Sequence, residues 1–245
     1  MIKTIVAERR HILLAVIALS LIGYIYLTPP MSQSSIAAWL GIETGYTPEF
    51  EMYIQRFVIA FFLLGLFPVI AARVCGYRLG DLGIRKPECK RLGLCLAAAL
   101  AAGAVIGIVG SFSAPLSGFY PYDAGLAERV ESNGIWPFIL HAVCYGLLYY
   151  LPWEVLFRGV FIFPFIEEKI GNISPNGRTF LLASIQVIPS SLLHFGHPVT
   201  ETLGAVVFGF FAGWITVKTR SIVPALFIHA ATGIFLDLAV VLGSG

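Results

Sequence analysis

Residues 134–167 read GIWPFILHAVCYGLLYYLPWEVLFRGVFIFPFIE, a mostly apolar run that contains the charged residues Glu154 and Arg158. About 34 helical residues with a rise of 1.5 Å each would extend roughly 51 Å, whereas the hydrocarbon core of a bilayer is about 30 Å thick. Pro152 is a natural position for a break, because proline removes a backbone donor. The sequence therefore predicts a kinked or partly re-entrant helical unit in a membrane.

The chain as a whole has the composition of a membrane protein. Of its 245 residues, 58% are hydrophobic and 12% are charged, against about 45–50% and about 25% in soluble domains. Its net charge of +2 offers no basic face, so no nucleic acid is expected as a partner. Further apolar runs of a length suited to membrane spans lie at 11–28, 54–72, 92–112, 178–193, 203–217 and 222–242. The predicted fold class is all-α, a polytopic integral membrane helical bundle with about 7–8 transmembrane helices.

Basic residues predict the orientation of these spans. Arg9 and Arg10 precede the first span, and a second basic group lies between residues 73 and 91. Because Lys and Arg are enriched in cytoplasmic loops, the N-terminus is expected in the cytoplasm. One net crossing of 134–167 also places the later basic loops inside and gives seven crossings. Two crossings of that run would give eight, and this alternative stays open.

Glu154 and Arg158 are charged residues within an apolar run. Four residues apart on a helix, they share a face on which the carboxylate and the guanidinium can meet. Charges inside membrane spans cost about 2.5–3.5 kcal/mol and usually mark a functional site. A structural ion pair is the alternative. Burial raises the pKa of a carboxylate, and a nearby cation lowers it. Because the balance of the two effects can tune a general base, the pair is also a candidate for general-base chemistry.

A second group of candidates lies in LLHFGHPVTE at 192–201, where His194 ends an apolar run and His197 and Glu201 follow. On a continuous helix these three side chains would share one face, as zinc ligands can. Gly196 and Pro198 argue against a continuous helix. We interpret His194 as a candidate site residue, and capping or interfacial roles stay open for His197 and Glu201.

His229 lies well inside the last apolar run, and Asp237 follows eight residues later. Eight steps of 100° place the two side chains on adjoining faces about two turns apart, so they can line one cavity without touching. An imidazole this deep in a membrane requires a hydrogen-bond partner. His141 is another candidate, with a packing role equally open.

A Glu-x-x-x-Arg-Gly helix, a histidine ending the next run and a histidine in the last run together resemble the CPBP family, also called Abi or CAAX-protease self-immunity proteins. The resemblance covers roughly residues 134–240, and the family motifs are EExxxR, FxxxH and HxxxN. The family includes endopeptidases that trim prenylated CAAX proteins and bacterial members linked to bacteriocin self-immunity. The resemblance implies three N-terminal spans at 1–133 and a protease core at 134–245, in a bacterial or archaeal cell membrane.

The motif residues carry over by position. Trp153 stands at the place of the first motif glutamate, and a branch of the family that reads Trp-Glu-x-x-x-Arg is similar to this chain. Ser190 stands at the place of the motif phenylalanine, and Gly233 at that of the asparagine. The resemblance implies as catalytic residues Glu154, Arg158, His194 and His229. The residues expected to contact substrate are Trp153, His197, Glu201 and Asp237.

The resemblance implies a protease that acts on a membrane-associated peptide or protein substrate, with lipidation of the substrate left open. Two mechanisms stay open: a metal-free one in which Glu154 activates water beside the histidines, and one in which a divalent metal such as zinc lowers the pKa of bound water. The metal-free version is preferred. The alternatives in function are an inactive relative that acts as a scaffold or immunity protein, and a small transporter.

Overall fold

A computed structural model describes residues 2–29, 31–166 and 173–243. Six helices in this part of the chain are long and apolar enough to cross a membrane. They are α1 (Ile2–Leu27), α3 (Pro48–Val74), α4 (Leu92–Ser111), α7 (Trp136–Phe165), α10 (Val199–Thr219) and α11 (Val223–Gly243). The shorter helices are α2 (Ile36–Trp39), α5 (Ala114–Ser117), α6 (Leu126–Asn133), α8 (Pro175–Ile185) and α9 (Val187–Leu192). With no strand among the described residues, the predicted all-α, multi-pass membrane bundle is confirmed.

The span predicted at 178–193 is formed by two short helices, α8 and α9, instead of one long helix. Gln186 separates them, and its side-chain amide donates to the carbonyls of Ala183 at 2.8 Å and Gly209 at 2.7 Å. At the start of α8, Arg178 donates to the carbonyl of Ile166. After the end of α9, the carbonyl of His194 accepts from the Thr202 hydroxyl of α10. The pair thus lies between the end of α7 and the start of α10, and neither helix is among the six that are long and apolar enough to cross a membrane.

Helix α7 continues through Pro152 where the sequence predicts a break. Two π-helical stretches, Tyr145–Tyr150 and Val155–Val160, flank the short α-helical piece Leu151–Glu154. The wider turns of a π-helix accommodate a residue that lacks an N–H group, so the helix is not interrupted. The run 134–167 therefore yields one long helical segment, which agrees with one net crossing.

Helix α10 carries a pattern of three glycines, Gly204, Gly209 and Gly213, and the last two allow it to pack closely on α8 and α9. A Cβ atom at Gly213 would lie 2.9 Å from the Cα atom of Ala183, and one at Gly209 would lie 3.2 Å from Val187 Cγ2. These positions have no room for a larger side chain. Gly204, the third glycine of the pattern, lies on a cavity instead, and a Cβ there would meet no atom within 4 Å.

The two ends of the bundle differ in charge. At one end Arg9, Arg10, Arg85 and Arg220 line a single pocket of about 520 Å³, and the Arg85 Nε atom donates to the carbonyl of Arg220 at 2.8 Å. We call this the basic end. The far end consists of residues 112–125 and 193–201, which hold Tyr120, His197 and Glu201 in mutual contact. The loops that the sequence predicts to be cytoplasmic thus lie together.

Candidate functional site

A cavity of about 710 Å³ extends from the middle of the bundle to the far end, between α4, α7, α9, α10 and α11. The apolar side chains that line it include Ile106, Leu116, Val207, Phe211 and Leu236. The polar and ring-bearing side chains that line it include Tyr150, Trp153, Arg158, His194, Glu201 and His229. Six of the eight expected site residues line this cavity, and Glu154 and Asp237 do not.

Glu154 lies behind the cavity wall, where its carboxylate is shared between two partners. Its Oε1 atom is 2.7 Å from His229 Nδ1, and because a carboxylate only accepts, Nδ1 is the donor. Its Oε2 atom is 3.2 Å from Arg158 Nε, an ion pair that lacks the alignment of a hydrogen bond. Glu154 is 0% exposed and Arg158 is 1% exposed. The predicted pairing of these two charges therefore exists, and it extends to an imidazole of α11.

Trp153 contacts both cavity histidines. Its ring packs edge-on against His194 at a centroid distance of 5.5 Å and against His229 at 6.2 Å. The ring of Tyr150 contacts His229 from the other side at 4.7 Å. Aromatic surfaces thus fix the orientation of both imidazoles while each histidine keeps an edge on the cavity.

His194 follows α9, and a backbone carbonyl sets its tautomer. Its Nδ1 atom donates to the carbonyl of Ser190 at 2.8 Å, which leaves Nε2 as an acceptor in the neutral ring. Burial lowers the pKa of His194 to about 4, although the carboxylate of Glu201 opposes this effect. The imidazole is therefore neutral near pH 7 and can accept a proton or a hydrogen bond at Nε2.

The chain turn at Gly196 brings His197 and Glu201 to His194. Gly196 has φ +93°, a left-handed conformation that suits glycine and ends the helical path. Glu201 Oε1 then accepts from His197 Nδ1 at 2.9 Å and from the Tyr120 hydroxyl at 2.7 Å, and it lies 3.9 Å from His194 Nε2. The three residues that a continuous helix would align are thus brought together by a turn.

Asp237 belongs to a separate buried network. Its Oδ2 atom is 2.9 Å from His141 Nε2, and the other ring nitrogen of His141 is 2.7 Å from the Tyr53 hydroxyl. Asp237 is 0% exposed and has no place on the cavity wall, so the structure does not bring it to the substrate surface expected for it. Because Asp237 lies eight residues after His229, its side chain is on a different face of α11 and points toward His141 of α7.

Tyr120 and Tyr122 were not identified from the sequence. Tyr120 bonds Glu201 across 81 residues of chain, and the Tyr122 hydroxyl lies 3.4 Å from His197 Nε2. The guanidinium of Arg56 stacks over the Tyr122 ring at 3.6 Å. No periodicity or spacing in the sequence connects a loop tyrosine to a helix so far along the chain, so only the fold reveals these contacts.

The donor set does not fit a metal ion. Within the described ranges, no three His, Cys, Asp or Glu side chains are grouped so that they could hold one. Glu154 is held by His229 and Arg158, and Asp237 by His141, and neither carboxylate has a surface on the cavity. Two of the carboxylates that could serve the zinc mechanism are thus engaged by other side chains.

Part of the chain matches a known protein family. The family model described as type II CAAX prenyl endopeptidase Rce1-like matches residues 129–235. The matched part begins in α6, contains α7 to α10, and ends within α11. It includes Glu154, Arg158, His194 and His229. No curated protein and no solved structure matches the chain.

Proposed function

Because residues 129–235 carry an Rce1-like domain within a multi-pass membrane bundle, we propose that the protein is an intramembrane endopeptidase of the CAAX-protease type. It hydrolyses a peptide bond of a membrane-associated substrate. The observation that carries this proposal is the placement of His194 and His229 on one cavity of about 710 Å³, with a buried carboxylate behind His229. A cavity of this size is within the range of about 300–1,000 Å³ found for ligand sites.

In this proposal Glu154 is a positioning residue. Its two oxygens are directed at His229 and Arg158, and it has no surface on the cavity, which favours this role over the direct activation of water expected from the sequence. By accepting from Nδ1, it orients His229 so that Nε2 is the nitrogen available to substrate. In its protonated form His229 then donates to the oxyanion that develops on the attacked carbonyl.

The proposal also includes the orientation. The basic end faces the cytoplasm, because Arg9, Arg10, Arg85 and Arg220 gather there. The N-terminus is then cytoplasmic, and the cavity lies in the opposite half of the bundle. The bond that is cut accordingly lies in the non-cytoplasmic half of the membrane.

A non-catalytic scaffold or immunity protein is the second candidate, and Trp153 is the observation that favours it. Its buried indole contacts both histidines and offers no proton acceptor. Such a protein would bind a peptide or a membrane partner in the same cavity without cleaving it.

The test compares N- and C-terminal peptides of membrane proteins by mass spectrometry in cells with the native protein, a deletion and His229→Ala at matched expression. We expect new termini only with the native protein. If all three samples give the same termini while the deletion still has a phenotype, the protease proposal is wrong and the binding function replaces it.

A further inference from the structure

Two proton acceptors face each other at the far end of the cavity. His194 Nε2 carries a lone pair, because Nδ1 of the same ring donates to the carbonyl of Ser190. The nearest carboxylate atom, Glu201 Oε1, is 3.9 Å away, which is too far for a direct hydrogen bond. When Glu201 is ionised, neither group carries a proton to share with the other. The gap therefore suits a small molecule with two donors.

We propose that Glu201 and His194 together hold the water molecule that attacks the substrate, and that Glu201 acts as its general base; this rests on the proposed protease function. A water oxygen about 2.8 Å from each of two atoms 3.9 Å apart would subtend roughly 90° between them, near the tetrahedral angle between its two O–H donors. With both donors directed at Glu201 and His194, the lone pairs of the water oxygen face the cavity. These lone pairs are the nucleophile.

The surroundings of Glu201 hold its carboxylate in place and keep it ionised, which is the form that a general base requires. Tyr120 and His197 donate to Oε1, which fixes the side chain against α9 and the loop before α6. Oε2 is buried and has no hydrogen-bond donor within the described ranges. Glu201 also lies in the first turn of α10, where the helix dipole favours the ionised carboxylate.

The step balances with water as the only co-reactant. The water oxygen forms a bond to the carbonyl carbon, the π pair moves to the carbonyl oxygen, and one water proton passes to Glu201. His229, which lines the same cavity, donates to the oxyanion. When the C–N bond breaks, the nitrogen keeps the bonding pair and takes the proton from Glu201. The products are an amine and a carboxylic acid, and the carboxylate of Glu201 is regenerated.

Glu201→Gln tests the proposal, because it removes the proton acceptor and keeps an oxygen for Tyr120 and His197. The matched control is Glu131→Gln, which removes an exposed carboxylate on α6. The readout is the rate at which a substrate identified by its new termini is cleaved in proteoliposomes. We expect Glu201→Gln to lower this rate by about 10²-fold or more, and Glu131→Gln to leave it unchanged. We also expect the native rate to fall at acid pH, because Glu201 and His194 both take up protons there and the water loses its two acceptors.

Equal cleavage by Glu201→Gln and the native protein would overturn the role of Glu201 and leave the protease function standing. A native protein that produces no new termini would overturn both. Glu201→Asp decides the case if the Gln variant fails to purify as a monodisperse protein: a reduced rate with a shifted acid limb supports the proposal, and a native rate and pH profile contradict it.

Discussion

At Glu154, one buried carboxylate is shared between a guanidinium and an imidazole. The i, i+4 spacing predicts the contact with Arg158, because the residues are neighbours on one helix. The contact with His229 joins residues 75 positions apart, and the sequence indicates it only through the family resemblance. Helix geometry thus predicts the contact within α7, whereas the contact with α11 depends on how the helices pack.

Glu154→Gln is expected to destabilise the protein by about 3–5 kcal/mol, because it leaves the Arg158 guanidinium buried without its counter-ion. The measurement is thermal unfolding in detergent. The double variant Glu154→Gln/Arg158→Met removes the unpaired charge and is expected to recover much of the loss.

A cleavage assay of the double variant distinguishes the structural role of Glu154 from its positioning role. We expect the double variant to remain defective in cleavage, with a changed pH profile, because His229 has lost its carboxylate partner. Full recovery of both stability and cleavage would contradict a positioning role for Glu154.

His194 gives a prediction on pH. Since burial lowers its pKa to about 4, below the unperturbed value of about 6.5, the folded protein favours the neutral ring. Its contribution to stability is complete above about pH 6.5 and is lost as the pH falls toward 4. Unfolding temperatures measured from pH 7.5 to 4.5 should fall less steeply for His194→Gln than for the native protein. The control is His11→Gln, whose side chain is 76% exposed and should leave the slope unchanged; equal slopes for all three would refute the prediction.

The broken helix α8–α9 carries His194, and its position depends on small residues of α10. The apolar run 178–193 predicts this element, but no periodicity in the sequence indicates a break at Gln186, which is stabilised by a bond to the Gly209 carbonyl of α10. The π-helical turns of α7 are likewise absent from the pattern, because π and α stretches present similar runs of apolar side chains. Element positions were therefore predictable and their internal irregularities were not.

Gly213→Ala is expected to destabilise the bundle by about 1–3 kcal/mol, because its new Cβ would lie 2.9 Å from the Ala183 backbone. The matched change Gly204→Ala on the same helix adds a Cβ with no atom within 4 Å, and it should be neutral or stabilise by up to about 1 kcal/mol. Chemical or thermal unfolding in detergent compares the two. Equal effects would show that α10 does not rely on close packing at Gly213.

For the whole molecule, composition indicates a membrane helical bundle, and the positions of Lys and Arg indicate which loops share one end of it. The hydrophobic content predicts the bundle, and the basic loops that it predicts on one side do meet around Arg85 and Arg220. The contacts at the far end could not be predicted from charge or composition. Tyr120 follows α4 and Glu201 lies in the first turn of α10, and nothing local in either sequence segment encodes their contact.

The orientation is tested by cysteine labelling in a background that lacks the four native cysteines. We expect Ser132→Cys, exposed near the far end, to react with a membrane-impermeant maleimide in intact cells. Lys86→Cys, exposed at the basic end, should react only after permeabilisation. The reverse pattern would place the cavity on the cytoplasmic side.

Hydrolysis at the histidine-lined cavity is tested most directly by cleavage in water enriched in ¹⁸O. Purified protein in proteoliposomes is incubated with a membrane substrate identified in cells, and the new C-terminal peptides are weighed by mass spectrometry. The account predicts new C-termini that carry one ¹⁸O atom with the native protein and none with His194→Ala or His229→Ala. New termini formed equally by both variants, or no cleavage by the native protein, would contradict it.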